Sequence, residues 1–157
     1  MKPPFIIAEA GVNHNGSVDL ARQLIDAAVA AGADAVKFQT FRAEKLVGKL
    51  APKAEYQKQT TSAGESQLAM IEKLELDRGA HLELKTHCRE KGIEFMSTPF
   101  DEGSVDLLVE AGVGKLKIAS GNITDGPLLL KAGRTGLPVI LSTGMATLGE
   151  IEDALGV

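Results

Sequence analysis

Five apolar, strand-like runs alternate with helical patterns along the 157 residues, and this order predicts an α/β fold with a parallel sheet. Two of these runs carry a lysine in their interior, at Lys37 and Lys117. A doubly wound open sheet has helices on both faces and offers such lysines no polar position, whereas a barrel has polar positions near its mouth. We therefore predict the (β/α)8 TIM-barrel class, with about the first five βα units in this chain.

The chain is predicted to form one domain over residues 1–157. Its 44% hydrophobic and 24% charged residues are typical of a globular protein that buries a core. A complete barrel needs about 250 residues, so we predict that this chain is the N-terminal portion of one. Two parallel sheet edges would then lie open, and a fragment could self-associate through them.

The composition of the chain limits the classes of partner and the cellular compartment that we expect for it. The formal net charge of −4 argues against a broad nucleic-acid-binding surface, so an anionic ligand must meet local lysines. No run approaches the ~18 apolar residues of a membrane-spanning helix, and the first apolar run is too short for a signal peptide. The single cysteine, Cys88, suits a reducing compartment and is expected to pack a helix against the core. The sequence thus predicts a cytoplasmic protein with no nucleic-acid or membrane partner.

The first predicted strand covers residues 5–10, which are apolar and β-branched up to Glu9. A helix follows between Ser17, a suitable N-cap, and Gly32, which suits the left-handed position after a helix. The second strand is predicted over residues 34–41.

Residues 42–76 are mostly polar and predict a long insertion between the second strand and the second main helix. Loops of this length usually have a function. A helix is predicted over residues 78–91. We expect His81 and His87 on this helix to lie at the surface, because neither has a ligand partner one turn away.

Three further βα units complete the predicted order. Apolar runs mark the strands, and capping residues or a proline mark the helix starts. The strands cover residues 93–98, 115–122 and 138–143, and the helices cover 102–111, 128–132 and the stretch after Thr147, where Thr147 and Glu150 form a capping box. On the first of these helices we expect Val105, Leu108 and Val109 to be buried.

Polar side chains occur near the C-terminal end of each predicted strand, and in a barrel these ends converge on one mouth. Two lysines and three hydroxyls suit a phosphorylated or carboxylated small molecule, and a carboxylate could act as a base or orient water. The set consists of Glu9, Lys37, Thr98, Lys117, Ser120 and Ser142. His14, in the loop after the first strand, suits either a turn hydrogen bond or a role in this site.

Six segments of the sequence resemble the sialic acid synthase (N-acetylneuraminate synthase) family. They follow the family's order from about residue 5 to the end of the chain. They are E-A-G-V-N-H-N-G (9–16), V-K-F-Q-T-F (36–41), Y-Q-K-Q-T (56–60), E-F-M-S-T-P-F-D (94–101), K-I-A-S-G-N-I-T-D-G-P-L-L (117–129) and L-S-T-G-M-A-T-L-G-E (141–150).

This resemblance implies a transferase that condenses phosphoenolpyruvate with the open-chain aldehyde of an N-acetylated amino sugar, N-acetylmannosamine or a related one. The product would be a sialic or other nonulosonic acid, with release of phosphate. The resemblance implies that phosphoenolpyruvate is held by Lys37, Thr98, Lys117, Ser120 and Ser142. From its place in the loop, His14 is predicted as a further substrate-binding residue. Glu9, Lys117 and Asn122 are the implied catalytic residues, with Glu9 near the sugar or the attacking water.

The family also uses a divalent metal, manganese or magnesium, to orient and polarise the aldehyde. The resemblance implies that the metal ligands lie beyond Val157, as does a C-terminal antifreeze-like domain, and that the full-length form is a homodimer. We therefore expect the isolated chain to be inactive. The family commonly has a glutamate where this sequence has Asn122, which can form hydrogen bonds but cannot take up a proton.

Two other functions fit the residues. One is a Schiff-base aldolase with Lys117 or Lys37 as the nucleophile. The other is a non-catalytic half-barrel that assembles into an oligomer through its open edges.

Overall fold

A computed structural model describes residues 3–47 and 66–157 of the chain. The strands are β1 (Ile7–Gly11), β2 (Ala35–Thr40), β3 (Glu94–Pro99), β4 (Leu116–Ile118) and β5 (Val139–Leu141). The helices are α1 (Val18–Ala30), α2 (Ala43–Leu46), α3 (Gln67–Glu72), α4 (Arg78–Lys91), α5 (Glu102–Glu110), α6 (Gly126–Arg134) and α7 (Leu148–Gly156), and a 3-10 turn covers Ser120–Asn122.

All strand pairs in the described ranges are parallel, which confirms the predicted α/β class. The strands β1, β2 and β3 form one sheet in that order, β4 pairs with β5, and β4 packs beside β3. The register places Glu9 opposite Lys37 and Gln39 opposite Thr98. The carboxyl ends of these strands therefore lie along one edge, which is where parallel α/β sheets place their sites.

One face of the strands packs against the helices and forms the core. Phe38 and Phe95 stack there with ring centroids 5.7 Å apart, and Ile25 of α1 and Leu84 of α4 cover them. Because side chains alternate along a strand, Lys37, which lies next to Phe38, projects from the opposite face. This alternation separates an apolar helix-facing side from a polar side.

The helices begin where their capping residues predicted. Side-chain oxygens of the N-caps accept hydrogen bonds from backbone N–H groups in the first turn of six helices, and each such cap stabilises a helix by about 1 kcal/mol. These N-caps are Ser17, Ser66, Asp77, Asp101, Asp125 and Thr147. The predicted capping box at Thr147 and Glu150 is present, and Gly92 ends α4 in a left-handed conformation.

Two expectations about helix faces are wrong. His81 is buried rather than at the surface, because Thr40 of β2 provides a hydrogen-bond partner that the local helical pattern does not reveal. Val109 is 42% exposed rather than buried, because Ser104, Val105 and Leu108 form the buried stripe and Val109 lies at its edge. The other histidine of α4, His87, is partly exposed and contacts Asp26 of α1. The buried position of Cys88 is confirmed.

Most of the predicted insertion, and with it the Y-Q-K-Q-T segment at 56–60, lies outside the described residues. The described parts of it contain α2 and α3, and Phe41 and Ile71 join these helices in a small second apolar cluster. No helix in the described part of the chain is long and apolar enough to cross a membrane.

Candidate active site

Three strands bring a carboxylate, an ammonium group and a hydroxyl together. Lys37 of β2 forms an ion pair with Glu9 of β1, and its Nζ donates a hydrogen bond of 3.4 Å to Oγ1 of Thr98 on β3. The Lys37 side chain is only 13% exposed, whereas that of Glu9 is 54% exposed. The ammonium group is therefore held inside the site, and the carboxylate faces solvent.

The second pair of strands adds another ammonium group. Lys117 of β4 donates a hydrogen bond of 2.8 Å to the carbonyl oxygen of Ile118 and a further bond to Oγ of Ser142, just after β5. Among residues 3–47 and 66–157 it has no carboxylate within ion-pair distance. Its partners are neutral, so its charge is not cancelled by direct pairing.

The charge of Lys37 acts on Lys117. Burial lowers the pKa of Lys117, the positive charge of Lys37 lowers it further, and the negative charge of Glu9 opposes both effects. We call Glu9, Lys37, Thr98, Lys117 and Ser142 the strand-end basin. Two ammonium groups and one carboxylate give it a local positive charge within an acidic protein, which favours an anionic ligand.

Ser120 and Asn122 lie in the 3-10 turn that follows β4, beside the basin. A Cβ atom on Gly144 would lie 3.7 Å from Oγ of Ser120, so this hydroxyl faces the loop after β5. Neither Ser120 nor Asn122 makes a side-chain hydrogen bond to another described residue. Their predicted roles in substrate binding and catalysis stay predictions.

His14 is buried and does not join the basin contacts. Its Nδ1 accepts a hydrogen bond of 3.0 Å from the backbone N–H of Gly16, and its ring lies 6.1 Å from that of Phe38 on the helix-facing side. Burial lowers its pKa, so the ring is neutral and carries its proton on Nε2, which has no partner in the described ranges. The turn hydrogen bond is present, and a role in substrate binding stays a prediction.

Gln39 lies near the basin, although its sequence context did not single it out. It follows Lys37 by two positions and therefore shares its face of β2. A Cβ atom on Gly11 would lie 3.2 Å from Oε1 of Glu9 and 3.7 Å from Nε2 of Gln39. Gly11 also has a φ of +55°, so glycine is favoured there both for its backbone and for the close carboxylate. The two-residue spacing from Lys37 was the available sequence signal.

Metal binding is a separate question. Within residues 3–47 and 66–157, no three His, Cys, Asp or Glu side chains form a group that could hold a metal ion. The described residues therefore do not fit the divalent metal that the resemblance implies. Manganese or magnesium in a longer form of the protein stays a prediction.

A cleft of about 270 Å³ lies elsewhere, between the end of β2 and the helices α4 and α5. Arg42, Arg78, Asp106 and Glu110 are among its lining residues, and the basin residues are not. Both arginines already have carboxylate partners, Glu75 for Arg42 and Glu110 for Arg78. Its arginines are thus paired with carboxylates, whereas Lys117 of the basin has no carboxylate within ion-pair distance among the described residues.

Comparison with known proteins assigns the chain to a family. Residues 24–157 match the model of the NeuB family. The chain belongs to the NeuB family. This result confirms the resemblance to sialic acid synthases that the six sequence segments indicated.

Two similar relatives have synthase names. The chain is 55% identical to N,N′-diacetyllegionaminic acid synthase of Campylobacter jejuni, over 100% of this chain and 47% of the relative. It is 52% identical to the Legionella pneumophila protein of the same name, over 96% of this chain and 42% of the relative. The NeuB chain thus spans less than half the length of these two relatives.

The fold also matches a solved structure of the family. The crystal structure of N-acetylneuraminic acid (sialic acid) synthetase from Leptospira borgpetersenii, in complex with citrate, superposes with a TM-score of 0.83 and 39% sequence identity. The match covers 99% of this chain and 50% of that chain. The described α/β architecture is therefore similar to that of a sialic acid synthetase.

Proposed function

We propose that this NeuB chain is the phosphoenolpyruvate-binding part of a nonulosonic acid synthase, built on the first five βα units of a TIM barrel. The enzyme would condense phosphoenolpyruvate with the open-chain aldehyde of an N-acetylated amino sugar, N-acetylmannosamine or a related one. The observation that carries the proposal is the electrostatic interaction of Lys37, Lys117 and Glu9 at the strand ends. The synthase names of the relatives support the same reaction class.

The basin has hydrogen-bond donors left for an anion. A lysine ammonium group has three donors. Lys37 uses two of them, for Glu9 and Thr98, and Lys117 uses two, for Ile118 and Ser142. One donor on each lysine is therefore available for the carboxylate or the phosphate of phosphoenolpyruvate.

The reaction forms two bonds to carbon and breaks one. C3 of phosphoenolpyruvate bonds to the aldehyde carbon, whose oxygen takes up a proton to become a hydroxyl, and water adds at C2 with loss of a proton. The new C2 hydroxyl then loses its proton to become the ketone as the C2–O bond to phosphate breaks and phosphate leaves with its electron pair. The ammonium groups of Lys37 and Lys117 stabilise the negative charge on the departing phosphate. Glu9, which is accessible to solvent, would orient the attacking water or accept its proton.

Other features of the whole enzyme belong to the same proposal. A divalent metal, a homodimer, a cytoplasmic location and the completion of the barrel beyond this chain are all expected of the synthase. Asn122 would bind substrate by hydrogen bonds without proton transfer.

Binding of phosphoenolpyruvate tests the proposal without requiring catalysis. Titration calorimetry of the protein should give heat with phosphoenolpyruvate, and Lys117→Met should weaken binding by about tenfold or more, because a charge-assisted contact is lost. Lys131→Met is the matched control, since Lys131 pairs with Asp106 on α5 and lies outside the basin. Equal affinity of the Lys117→Met variant and wild type would contradict the proposal.

One observation favours a second function. Burial and the neighbouring charge of Lys37 lower the pKa of Lys117, which makes its amine more nucleophilic, as in Schiff-base aldolases. The amine would add to the carbonyl of pyruvate and lose water to form an imine. Borohydride reduction with pyruvate should then leave a covalent adduct on Lys117, and its absence under conditions that saturate the site would rule this function out.

A further inference from the structure

A buried chain of hydrogen bonds lies on the helix-facing side of β2 and β3, and no step of the proposed reaction uses it. Oγ1 of Thr40 lies 2.6 Å from Oγ of Ser97 and 2.7 Å from Nε2 of His81. Nδ1 of His81 lies 2.8 Å from the carbonyl oxygen of Asp77. Thr40, Ser97 and His81 are all buried.

The donor and the acceptor of each of these hydrogen bonds can be assigned from the carbonyl oxygen of Asp77, where the series ends. A carbonyl oxygen only accepts, so Nδ1 of His81 donates to Asp77, and Nε2 of the neutral ring accepts the hydroxyl proton of Thr40. Thr40 has no second proton, so the hydroxyl of Ser97 must donate to Thr40. Burial lowers the pKa of His81 and favours this neutral state, although the carbonyl of Asp77 opposes the shift.

This series of hydrogen bonds ends at the first turn of α4. Asp77 is the N-cap of α4, and its carboxylate accepts a hydrogen bond of 2.7 Å from the backbone N–H of Ala80. The His81 ring also contacts the edge of the Phe95 ring, with centroids 6.4 Å apart. The start of α4 therefore holds the imidazole in one place, and the imidazole holds Thr40.

The same two strand ends carry basin residues on their other face. Thr40 lies three positions after Lys37, and Ser97 directly precedes Thr98. The strands are tied on the helix-facing side by Thr40 and Ser97, and on the basin side by Lys37 and Thr98 at 3.4 Å. A shift of either strand end would therefore change the position of the Lys37 ammonium group.

We infer that His81 is a positioning residue of the strand-end basin. Through Thr40 and Ser97 it fixes the carboxyl ends of β2 and β3, and so it sets how close the Lys37 ammonium group lies to that of Lys117. The inference concerns the geometry of the basin and rests on the proposed function only for its effect on phosphoenolpyruvate binding.

Two readouts on four variants test the inference. Thr40→Val keeps the shape of the side chain and removes the donor to His81, and His81→Phe keeps a ring against Phe95. Thr86→Val and His87→Phe are matched controls on α4, the helix that carries His81, where Thr86 donates a hydrogen bond to the carbonyl oxygen of Leu82 and His87 contacts Asp26. Each variant is measured at a temperature where circular dichroism shows it fully folded.

The first readout is the titration of Lys117, followed by NMR on protein with 13C-labelled lysine and assigned with Lys117→Met. In Thr40→Val and His81→Phe, the pKa of Lys117 should rise towards its usual range, because the Lys37 charge that lowers it has moved away. The two control variants should titrate like wild type. A wild-type titration of Lys117 in both test variants would overturn the inference. If His81→Phe does not fold, the titration in Thr40→Val, which is the milder change, is the test.

The second readout is the affinity for phosphoenolpyruvate. We expect about a tenfold loss in Thr40→Val and His81→Phe, because misplacement of a positioned group by about 1 Å can cost up to about 100-fold, and no loss in the controls. If wild type itself fails to bind phosphoenolpyruvate, the proposed function is wrong, and the Lys117 titration still decides the positioning role.

Discussion

The two faces of β2 and β3 carry polar groups of opposite character. On the helix-facing side, Thr40, Ser97 and His81 are buried and satisfy one another. On the other side, Lys37 of β2 and the neighbouring Lys117 of β4 each have an N–H donor that no described residue uses. Polar groups that satisfy each other hold strands in place, whereas groups with donors left over can bind a ligand. The difference separates a structural network on one face of β2 and β3 from a candidate binding site on the other.

Removal of the Lys37 charge should have the largest effect on the basin. Lys37→Met should weaken phosphoenolpyruvate binding by about 100-fold, because a charged donor is lost and the carboxylate of Glu9 then repels the anion. The pKa of Lys117 should rise at the same time, since the Lys37 charge lowers it in wild type. Calorimetry and lysine NMR measure the two effects, and an unchanged affinity would show that the basin does not bind the anion.

Loss of a threonine hydroxyl should lower the free energy of unfolding more on the helix-facing side than on the basin side. Thr40→Val leaves Nε2 of His81 buried without a donor and should lower the free energy of unfolding by about 1–3 kcal/mol. Thr98→Val removes only the 3.4 Å contact with Lys37, which keeps Glu9 as a partner, and should cost less than about 1 kcal/mol. Urea unfolding measures both variants. A larger loss of stability in Thr98→Val than in Thr40→Val would show that the hydrogen bonds of Thr40 do not stabilise the strands.

Acid should lower the free energy of unfolding through His81, by less than the loss of the Thr40 hydroxyl does. Burial lowers the pKa of His81 in the folded state, so the unfolded chain takes up a proton first as the pH falls below about 6.5. Stability should therefore decrease from pH 7 towards pH 5, until the folded state also becomes protonated. The decrease should be shallower in His81→Phe, as measured by urea unfolding at several pH values. An identical slope in that variant would show that His81 does not remain neutral.

Much of the fold could be predicted from local signals in the sequence. N-cap residues such as Ser17 and Asp101 fixed the helix starts, because a cap acts on its own first turn. The lysines within apolar strands pointed to a polar face, because an isolated buried charge is too costly to leave unpaired. Both lysines do lie within electrostatic reach of each other.

Contacts between distant parts of the chain could not be predicted in the same way. The partner of His81 is Thr40, which lies 41 positions away, so the helical pattern alone placed His81 wrongly at the surface. The proximity of Gln39 to Gly11 depends on the register of β1 against β2. The roles of Asn122 and His14 depend on a bound substrate and stay predictions.

The buried position of Cys88 has a practical consequence for probe chemistry. Desolvation raises the pKa of this thiol to about 12, so almost none of it is thiolate at neutral pH. Maleimide and disulfide reagents should therefore leave the folded wild-type chain unlabelled. A cysteine introduced at an exposed position can then carry a fluorophore or spin label in the natural background, with no need to replace Cys88 first.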